Sequence, residues 1–193
     1  MFEPGAPHTG PELRAAMTHL VARAHDYLAA LPLDTFFAPQ GDRWSPAEHI
    51  RHLRKATAPL ALALRIPPWL LRLRFGRGAG TSRDFRTLRE TYRGALARGG
   101  QAGRFAPSPE SAPADPVGRR AAIMGAWGNA VRGVDAASGR WSEASLDRTG
   151  LPHPLLGLLT VREMLAFTVF HTSHHLALVA NRVARREGPA PER

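Results

Sequence analysis

Four long stretches of this chain space their apolar residues at helical intervals, and this pattern constrains the fold more than any other feature. They cover about residues 11–31, 45–67, 116–137 and 160–187. Segments rich in proline or glycine separate them, and we find no alternation of apolar and polar residues typical of a strand. The sequence therefore predicts an all-α protein.

Two of these stretches begin with clear helix-start signals. Ser45 is a favourable N-cap, and Glu48 follows it by three residues, which is the spacing of a capping box. Thr160 and Glu163 have the same spacing at the start of the last stretch. Both helices are therefore expected to begin at these residues.

The lengths of the connections predict how the helices are arranged. A long connection over residues 67–116, with one short helical piece at 83–98, separates the second long helix from the third. This order predicts an antiparallel up-down four-helix bundle with a long crossover between helices two and three. We expect a single domain over residues 1–193, with loose ends at 1–10 and 188–193.

The charge of the chain invites a nucleic-acid hypothesis that the sequence does not support. The formal net charge is +10, and 25 of the 26 basic residues are arginine, with Lys55 the single lysine. These arginines are spread along the chain without a recognisable nucleic-acid motif. Such a bias is typical of a high-GC genome, so solvated helix faces are favoured over a nucleic-acid partner.

The chain has no cysteine, which excludes disulfides, thiolate metal ligands and a cysteine nucleophile. This composition suits the cytoplasm, and the first residues show neither a basic region nor an apolar run of a signal peptide. No segment is long and apolar enough to span a membrane, because arginines and prolines interrupt residues 59–75. The arginines and Trp69 of that segment would suit a membrane surface or a partner, but a packed crossover or a dimer contact is favoured.

Histidines give the sharpest indication of chemistry. His171 and His175 are four residues apart and therefore share one face of the last helix. A third imidazole from the second helix, His49 or His52, would complete a three-nitrogen metal site with coordination positions left open. The helical spacing of apolar residues slightly favours His49, and a pair of hydrogen-bonded core histidines remains the alternative to any metal.

Two segments resemble the DinB-like superfamily. Residues 44–53, WSPAEHIRHL, are similar to the family's WSxxExxxHL pattern. Residues 153–164, HPLLGLLTVREM, followed by HTSHH at 171–175, are similar to its HPxxGxLTxxE…HxxxHH pattern. The resemblance implies an up-down bundle that is often a homodimer. It also implies metal ligands that fall on His52, His171 and His175.

Four further residues are candidates for the surroundings of the site. His49 remains a candidate on the second helix, and His174 lies beside the proposed pair. His153, in the loop before the last helix, would line the mouth of a pocket or cap that helix. Glu48 is expected to serve the cap, with a role as general base as the alternative.

Three imidazoles suit zinc, nickel, copper or iron better than magnesium or calcium, and we expect a divalent metal, zinc or nickel. The resemblance implies an enzyme acting on a small-molecule substrate. In one version, water activated by the metal attacks an ester or amide. In the other, an external low-molecular-weight thiol attacks an electrophile. The alternative is a non-enzymatic, stress-related binding protein whose metal site is structural or vestigial.

Overall fold

A computed structural model of the chain describes residues 2–39, 43–110 and 113–187. These residues form a mainly helical protein with a small two-stranded sheet. The helices are α1 (Gly10–Ala30), α2 (Leu33–Phe37), α3 (Pro46–Ala63), α4 (Pro68–Phe75), α5 (Phe85–Ala97), α6 (Pro116–Ser138), α7 (Glu143–Arg148) and α8 (Val161–Glu187). A 3-10 helix covers Gly103–Phe105, and the strands are β1 (Gly150–His153) and β2 (Gly157–Thr160).

Helices α1, α3, α6 and α8 occupy the four stretches that the sequence predicts to be helical. The prediction of an all-α chain is wrong in one segment, because β1 and β2 form an antiparallel hairpin. Gly150 pairs with Thr160, and His153 pairs with Gly157, whose φ of 73° is in the left-handed region. Strands of four residues are too short to show a convincing alternation in the sequence.

Both predicted capping boxes are confirmed. The Ser45 backbone N–H donates to Glu48 Oε2 at 2.7 Å, and the Glu48 N–H donates to Ser45 Oγ at 3.2 Å. The Thr160 N–H donates to Glu163 Oε2 at 2.9 Å, and the Glu163 N–H donates to Thr160 Oγ1 at 3.1 Å. These bonds satisfy N–H groups that a helix start leaves without partners, and they fix where α3 and α8 begin.

The long helices pack around a common core. Helix α3 contacts α6 and α8, and α1 contacts the same two helices, so the four contacts form a closed ring. The largest fully buried side chains include residues from α1, α3 and α6, among them Leu13, Met17, Ile50 and Trp127. The ring agrees with four-helix packing, whereas the up-down order of the helices stays a prediction.

The crossover contains more structure than the single predicted helical piece. Helix α5 corresponds to that piece and packs on α8, while α4 begins at Pro68, five residues after α3 ends at Ala63. The 3-10 helix packs on α3, so part of the crossover is held against one of the long helices. No helix among the described residues is long and apolar enough to cross a membrane.

The N-terminal segment is anchored where it enters the structure. The Phe2 side chain is buried and packs edge-on against Tyr27. The Ser173 hydroxyl donates to the Phe2 carbonyl at 2.6 Å. This part of the segment that we expected to be loose therefore contacts α8, while Met1 and residues 188–193 lie outside the described residues.

A buried arginine joins α8 to α7. The Arg162 side chain is 6% exposed, and its guanidinium donates to Glu143 at 2.6 Å and to Asp147 at 2.7 and 2.9 Å. It also donates to the carbonyl of His8 at 3.0 Å. Hydrogen bonds from Arg162 hold the pKa of Asp147 below its ordinary value.

We expect Arg162→Met to lower the free energy of unfolding by about 3 kcal/mol, because it removes one side of a largely buried ion pair and leaves Asp147 without its main partner. Urea unfolding followed by circular dichroism measures this effect. Arg86→Met is the matched control, because the Arg86–Glu90 pair is 80% and 57% exposed and should contribute less than about 0.5 kcal/mol. Equal losses in the two variants would contradict the prediction.

Candidate metal site

Helices α3 and α8 bring three histidines together. His52 lies on α3, and His171 and His175 lie one turn apart on α8. The contact between the two helices places all three side chains in the interior. Their burial means that each polar ring nitrogen needs a partner other than bulk water.

The three imidazoles converge through their Nε2 atoms. His171 Nε2 lies 3.0 Å from His52 Nε2 and 3.0 Å from His175 Nε2. One nitrogen from each of the three residues lies within 4.8 Å of the other two. Two nitrogens that bind one tetrahedral zinc ion are about 3.3 Å apart, so the spacing fits a shared ion with only small adjustment.

Burial keeps these histidines in the neutral form that metal ions bind. It lowers the pKa of His171 and of His175 well below the ordinary value, and the neighbouring histidines add to the effect. Burial also lowers the pKa of His52, partly offset by its hydrogen bond to the Phe105 carbonyl. Their lone pairs are therefore available to a cation at neutral pH.

A backbone carbonyl from the crossover orients His52. Its Nδ1 lies 2.9 Å from the carbonyl oxygen of Phe105, in the 3-10 helix. Because a carbonyl oxygen only accepts, Nδ1 carries the proton and Nε2 presents its lone pair to the other histidines. This is the arrangement in which a hydrogen bond to one ring nitrogen orients the other as a metal ligand.

His49 lies beside the three converging histidines, not among them. It is also buried, and its Nδ1 lies 2.8 Å from Nδ1 of His175. Arg182 Nη1 donates to His49 Nε2 at 2.8 Å and to the Trp44 carbonyl at 3.1 Å. Burial, followed by the nearby Arg182 charge, lowers the pKa of His49 to about 3.

When every imidazole is neutral, the hydrogen-bond donors and acceptors along this chain of contacts cannot all be paired. The Arg182 donor requires His49 to place its proton on Nδ1, which then donates to His175 Nδ1. His175 must in turn carry its proton on Nε2 and donate it to His171 Nε2. The lone pairs of His52 and His171 then face each other at 3.0 Å. A cation between these nitrogens would remove that repulsion.

The remaining candidates have different surroundings. Glu48 Oε1 accepts from the Glu110 N–H at 3.1 Å while Oε2 serves the cap, so this carboxylate joins α3 to the crossover. His174 packs beside Phe170 and His175 without joining the converging nitrogens. His153 Nδ1 accepts from the N–H groups of Leu155 and Leu156, both at 3.2 Å.

A cavity of about 300 Å³ opens beside the histidines. His52 and His171 form part of its wall, so a molecule in the cavity would lie next to the converging nitrogens. Most of the other lining residues are apolar and come from α3, the crossover, the hairpin and α8. They include Leu60, Phe75, Phe105, Leu151, Leu155, Met164 and Phe167. Tyr92, His153, Gln101 and Arg104 supply polar groups.

The sequence did not indicate all of these residues. Arg182 lies on the same face of α8 as His171 and His175, at helical spacing, but nothing in the sequence shows that it reaches His49 on another helix. The Phe105 carbonyl leaves no signal, because any residue carries a carbonyl group. Contacts between distant segments could be found only from the folded structure.

The chain is mainly helical, and three buried imidazoles converge beside a cavity. These features define a class of protein in which packed helices form an internal site that could hold a metal ion. A family model described as the DinB superfamily matches residues 33–179, and the chain belongs to this superfamily. The matched residues include all the histidines of the site. No curated protein and no solved structure matches the chain.

Proposed function

We propose that this protein is a metal-dependent enzyme that activates a nucleophile for attack on a small, mostly apolar electrophile. The nucleophile is water or an external low-molecular-weight thiol. One observation carries the proposal: three buried, neutral imidazoles converge, and two of them, His52 and His171, line a cavity of small-molecule size. A structural site would be closed by a fourth ligand, whereas this group of three leaves room for another molecule.

His52, His171 and His175 would hold the metal, for which we propose zinc or nickel because of the nitrogen donors. When bound, such an ion acts as a Lewis acid and lowers the pKa of a water or thiol that reaches it. The Phe105 carbonyl orients His52, and His49 contacts the ring nitrogen of His175 that faces away from the site.

The cavity indicates what kind of substrate it accepts. Its apolar walls exclude water and favour a compact, mostly apolar molecule. His153 accepts two backbone N–H groups at Nδ1, so its proton lies on Nε2, and burial lowers its pKa to about 4. We propose that His153 remains neutral and donates a hydrogen bond from Nε2 to an oxygen of the substrate.

The surroundings restrict where a general base could come from. No aspartate or glutamate lines the cavity among the described residues, and both oxygens of Glu48 already accept backbone N–H groups. A metal-activated nucleophile needs less help from a protein base, which agrees with this composition. A thiol would have to come from outside, because the chain has no cysteine.

The first test is elemental analysis of protein purified without an affinity tag. We expect about one equivalent of zinc or nickel per chain, removable by a chelator. Apolar ester substrates, and apolar electrophiles offered with small thiols, then test the two versions of the reaction. Turnover that is lost on chelation and restored by metal supports the proposal. Undiminished turnover after complete metal removal would contradict it.

The contacts of His49 lead to a pair of predictions with opposite signs. A metal on His175 Nε2 requires the proton on Nδ1, which then donates to His49 Nδ1 and forces the His49 proton onto Nε2, against the Arg182 donor. We therefore expect Arg182→Met to raise zinc affinity several-fold. We expect His49→Leu to lower it about tenfold, because it removes the hydrogen-bond partner that orients His175.

Isothermal titration with zinc chloride measures both affinities. Arg185→Met, on an exposed position of the same helix, is the control and should leave zinc affinity unchanged. Equal losses of affinity in the Arg182 and His49 variants would contradict the assignment of protons.

Three further expectations, on helix order, assembly and location, accompany the proposed function. We propose that the four long helices run up and down in sequence order, that the protein forms a homodimer, and that it works in the cytoplasm. Light scattering coupled to gel filtration measures the assembly state. A monomer at micromolar concentration would remove the homodimer from the proposal without affecting the metal site.

A further inference from the structure

Helix α4 and the end of α3 expose an unusual set of large apolar side chains. We call it the apolar ridge, and it consists of Leu62, Ile66, Trp69, Leu70 and Leu73. Leu73 is 80% exposed and Trp69 is 59% exposed, whereas Leu71 between them is buried and attaches α4 to the protein. A soluble protein rarely exposes such a cluster without a partner for it.

The ridge lies in a strongly basic part of the chain. No aspartate or glutamate occurs between Glu48 and Asp84, while this interval contains eight basic residues. Of these, Arg65, Arg72, Arg74 and Arg77 are in or next to the ridge, and none of the ion pairs among the described residues involves them. Their positive charge is therefore not neutralised by the protein.

An arginine-lined cavity adjoins the ridge. It has a volume of about 440 Å³. Its lining consists of Arg72, Arg77 and Arg148 together with the glycine and alanine residues of segment 78–80. Arg72 directly precedes Leu73 on α4, so the cavity and the ridge share this helix. Guanidinium groups bind phosphate oxygens in a bidentate manner, and three of them without a lining carboxylate suit a phosphate group.

We infer that this face docks on the surface of an anionic lipid bilayer. The apolar ridge enters the interfacial layer, and the arginine-lined cavity receives a headgroup phosphate. Segments that lie in the interface between a membrane and water combine Trp and Leu with arginine. The cytoplasmic leaflet carries negative charge, which attracts basic residues near its surface.

Charge argues against the other occupants of this face. A symmetric dimer through the ridge would bring the same unpaired arginines of two copies close together, with no carboxylate of the segment to oppose them. A nucleic acid would satisfy the arginines but would leave Leu73 and Trp69 exposed to its phosphates. Free phosphate would fill the cavity and leave the ridge uncovered. An anionic bilayer satisfies both features together.

Co-sedimentation of the full chain with lipid vesicles tests the inference. We expect binding to vesicles of 30% phosphatidylglycerol in phosphatidylcholine, and at least tenfold weaker binding to phosphatidylcholine alone. Trp69→Ser with Leu73→Ser should reduce binding at least tenfold. Arg72→Gln with Arg77→Gln should reduce it about 30-fold, at about 1 kcal/mol per basic residue. Val117→Ser is the control, because Val117 is 59% exposed on α6, and it should bind like the wild type.

Fluorescence identifies the side chain that enters the lipid. Trp69 emission should shift to shorter wavelength on vesicle binding, and Trp69→Phe should abolish the shift without preventing sedimentation. Equal binding to neutral and anionic vesicles, or unchanged binding by both double variants, overturns the inference. Dimerisation that Leu73→Ser abolishes would also overturn the inference. Binding of duplex DNA or inorganic phosphate without binding to anionic vesicles would overturn it as well. Circular dichroism of each variant verifies that a loss of binding is not a loss of fold.

Discussion

His171→Ala is expected to abolish metal binding while leaving a folded helical protein. His171 Nε2 is the central nitrogen, 3.0 Å from both other candidates, so its removal leaves two imidazoles without a common neighbour. We expect metal content to fall from about one equivalent to below a tenth, and any activity to fall at least 100-fold. Elemental analysis and circular dichroism of the same sample measure both effects.

The fold should survive this change because the core does not depend on the ion. The long helices bury many apolar side chains against one another, unlike a small zinc-dependent domain that unfolds without metal. His174→Ala is the matched control, since His174 is on the same helix but outside the converging group, and it should retain metal.

Two results would count against this interpretation. Loss of helical structure in His171→Ala or on chelation would show a structural ion and favour a non-enzymatic binding protein. A folded, metal-free variant with full turnover would remove the metal from the mechanism.

Mild acid is expected to destabilise the metal-free protein strongly. His49, His171 and His175 have a pKa in the folded state well below their value of about 6.5 in an unfolded chain. Around and below that pH the unfolded chain binds protons at these histidines, whereas the folded chain does not. The free energy of unfolding is therefore highest above about pH 6.5 and decreases as the pH falls. From pH 7.5 to 5.5 each histidine lowers it by about 1.4 kcal/mol, and the three together lower it by about 4 kcal/mol.

Urea unfolding of chelator-treated protein at several pH values measures this loss. His49→Leu should reduce the difference between pH 7.5 and 5.5 by about 1.4 kcal/mol, whereas His25→Leu, at an exposed position, should leave it unchanged. Carboxylates such as Asp147, whose pKa is also lowered, lose their contribution only at more acidic pH. A free energy of unfolding that is constant from pH 7.5 to 5.5 would contradict the prediction.

Local signals made the long helices predictable. The boxes Ser45–Glu48 and Thr160–Glu163 act within four residues, and the apolar spacing repeats over many turns, so both can be recognised in the sequence alone. Helix α4 was missed because prolines usually end a helix, yet Pro68 is its first residue. The hairpin β1–β2 was missed because its strands depend on each other for pairing and are individually too short to be recognised.

Local sequence signals did not decide which histidine of α3 joins the site. Periodicity slightly favoured His49, and only the family resemblance favoured His52. In the structure both side chains are buried, and His52 is the one whose Nε2 meets His171. Both positions on α3 face the interior, so the direction from which α8 packs decides which imidazole joins the group.

The sequence by itself determined the four long helices, two of their starts and the face that His171 and His175 share, because these depend on residues a few positions apart. Only the tertiary structure decided that His52 completes the group and that Phe105 orients it. It also decided that Arg182 reaches His49 and that a cavity opens beside the histidines. These features join segments far apart in the chain, and their distances are set by how the helices pack.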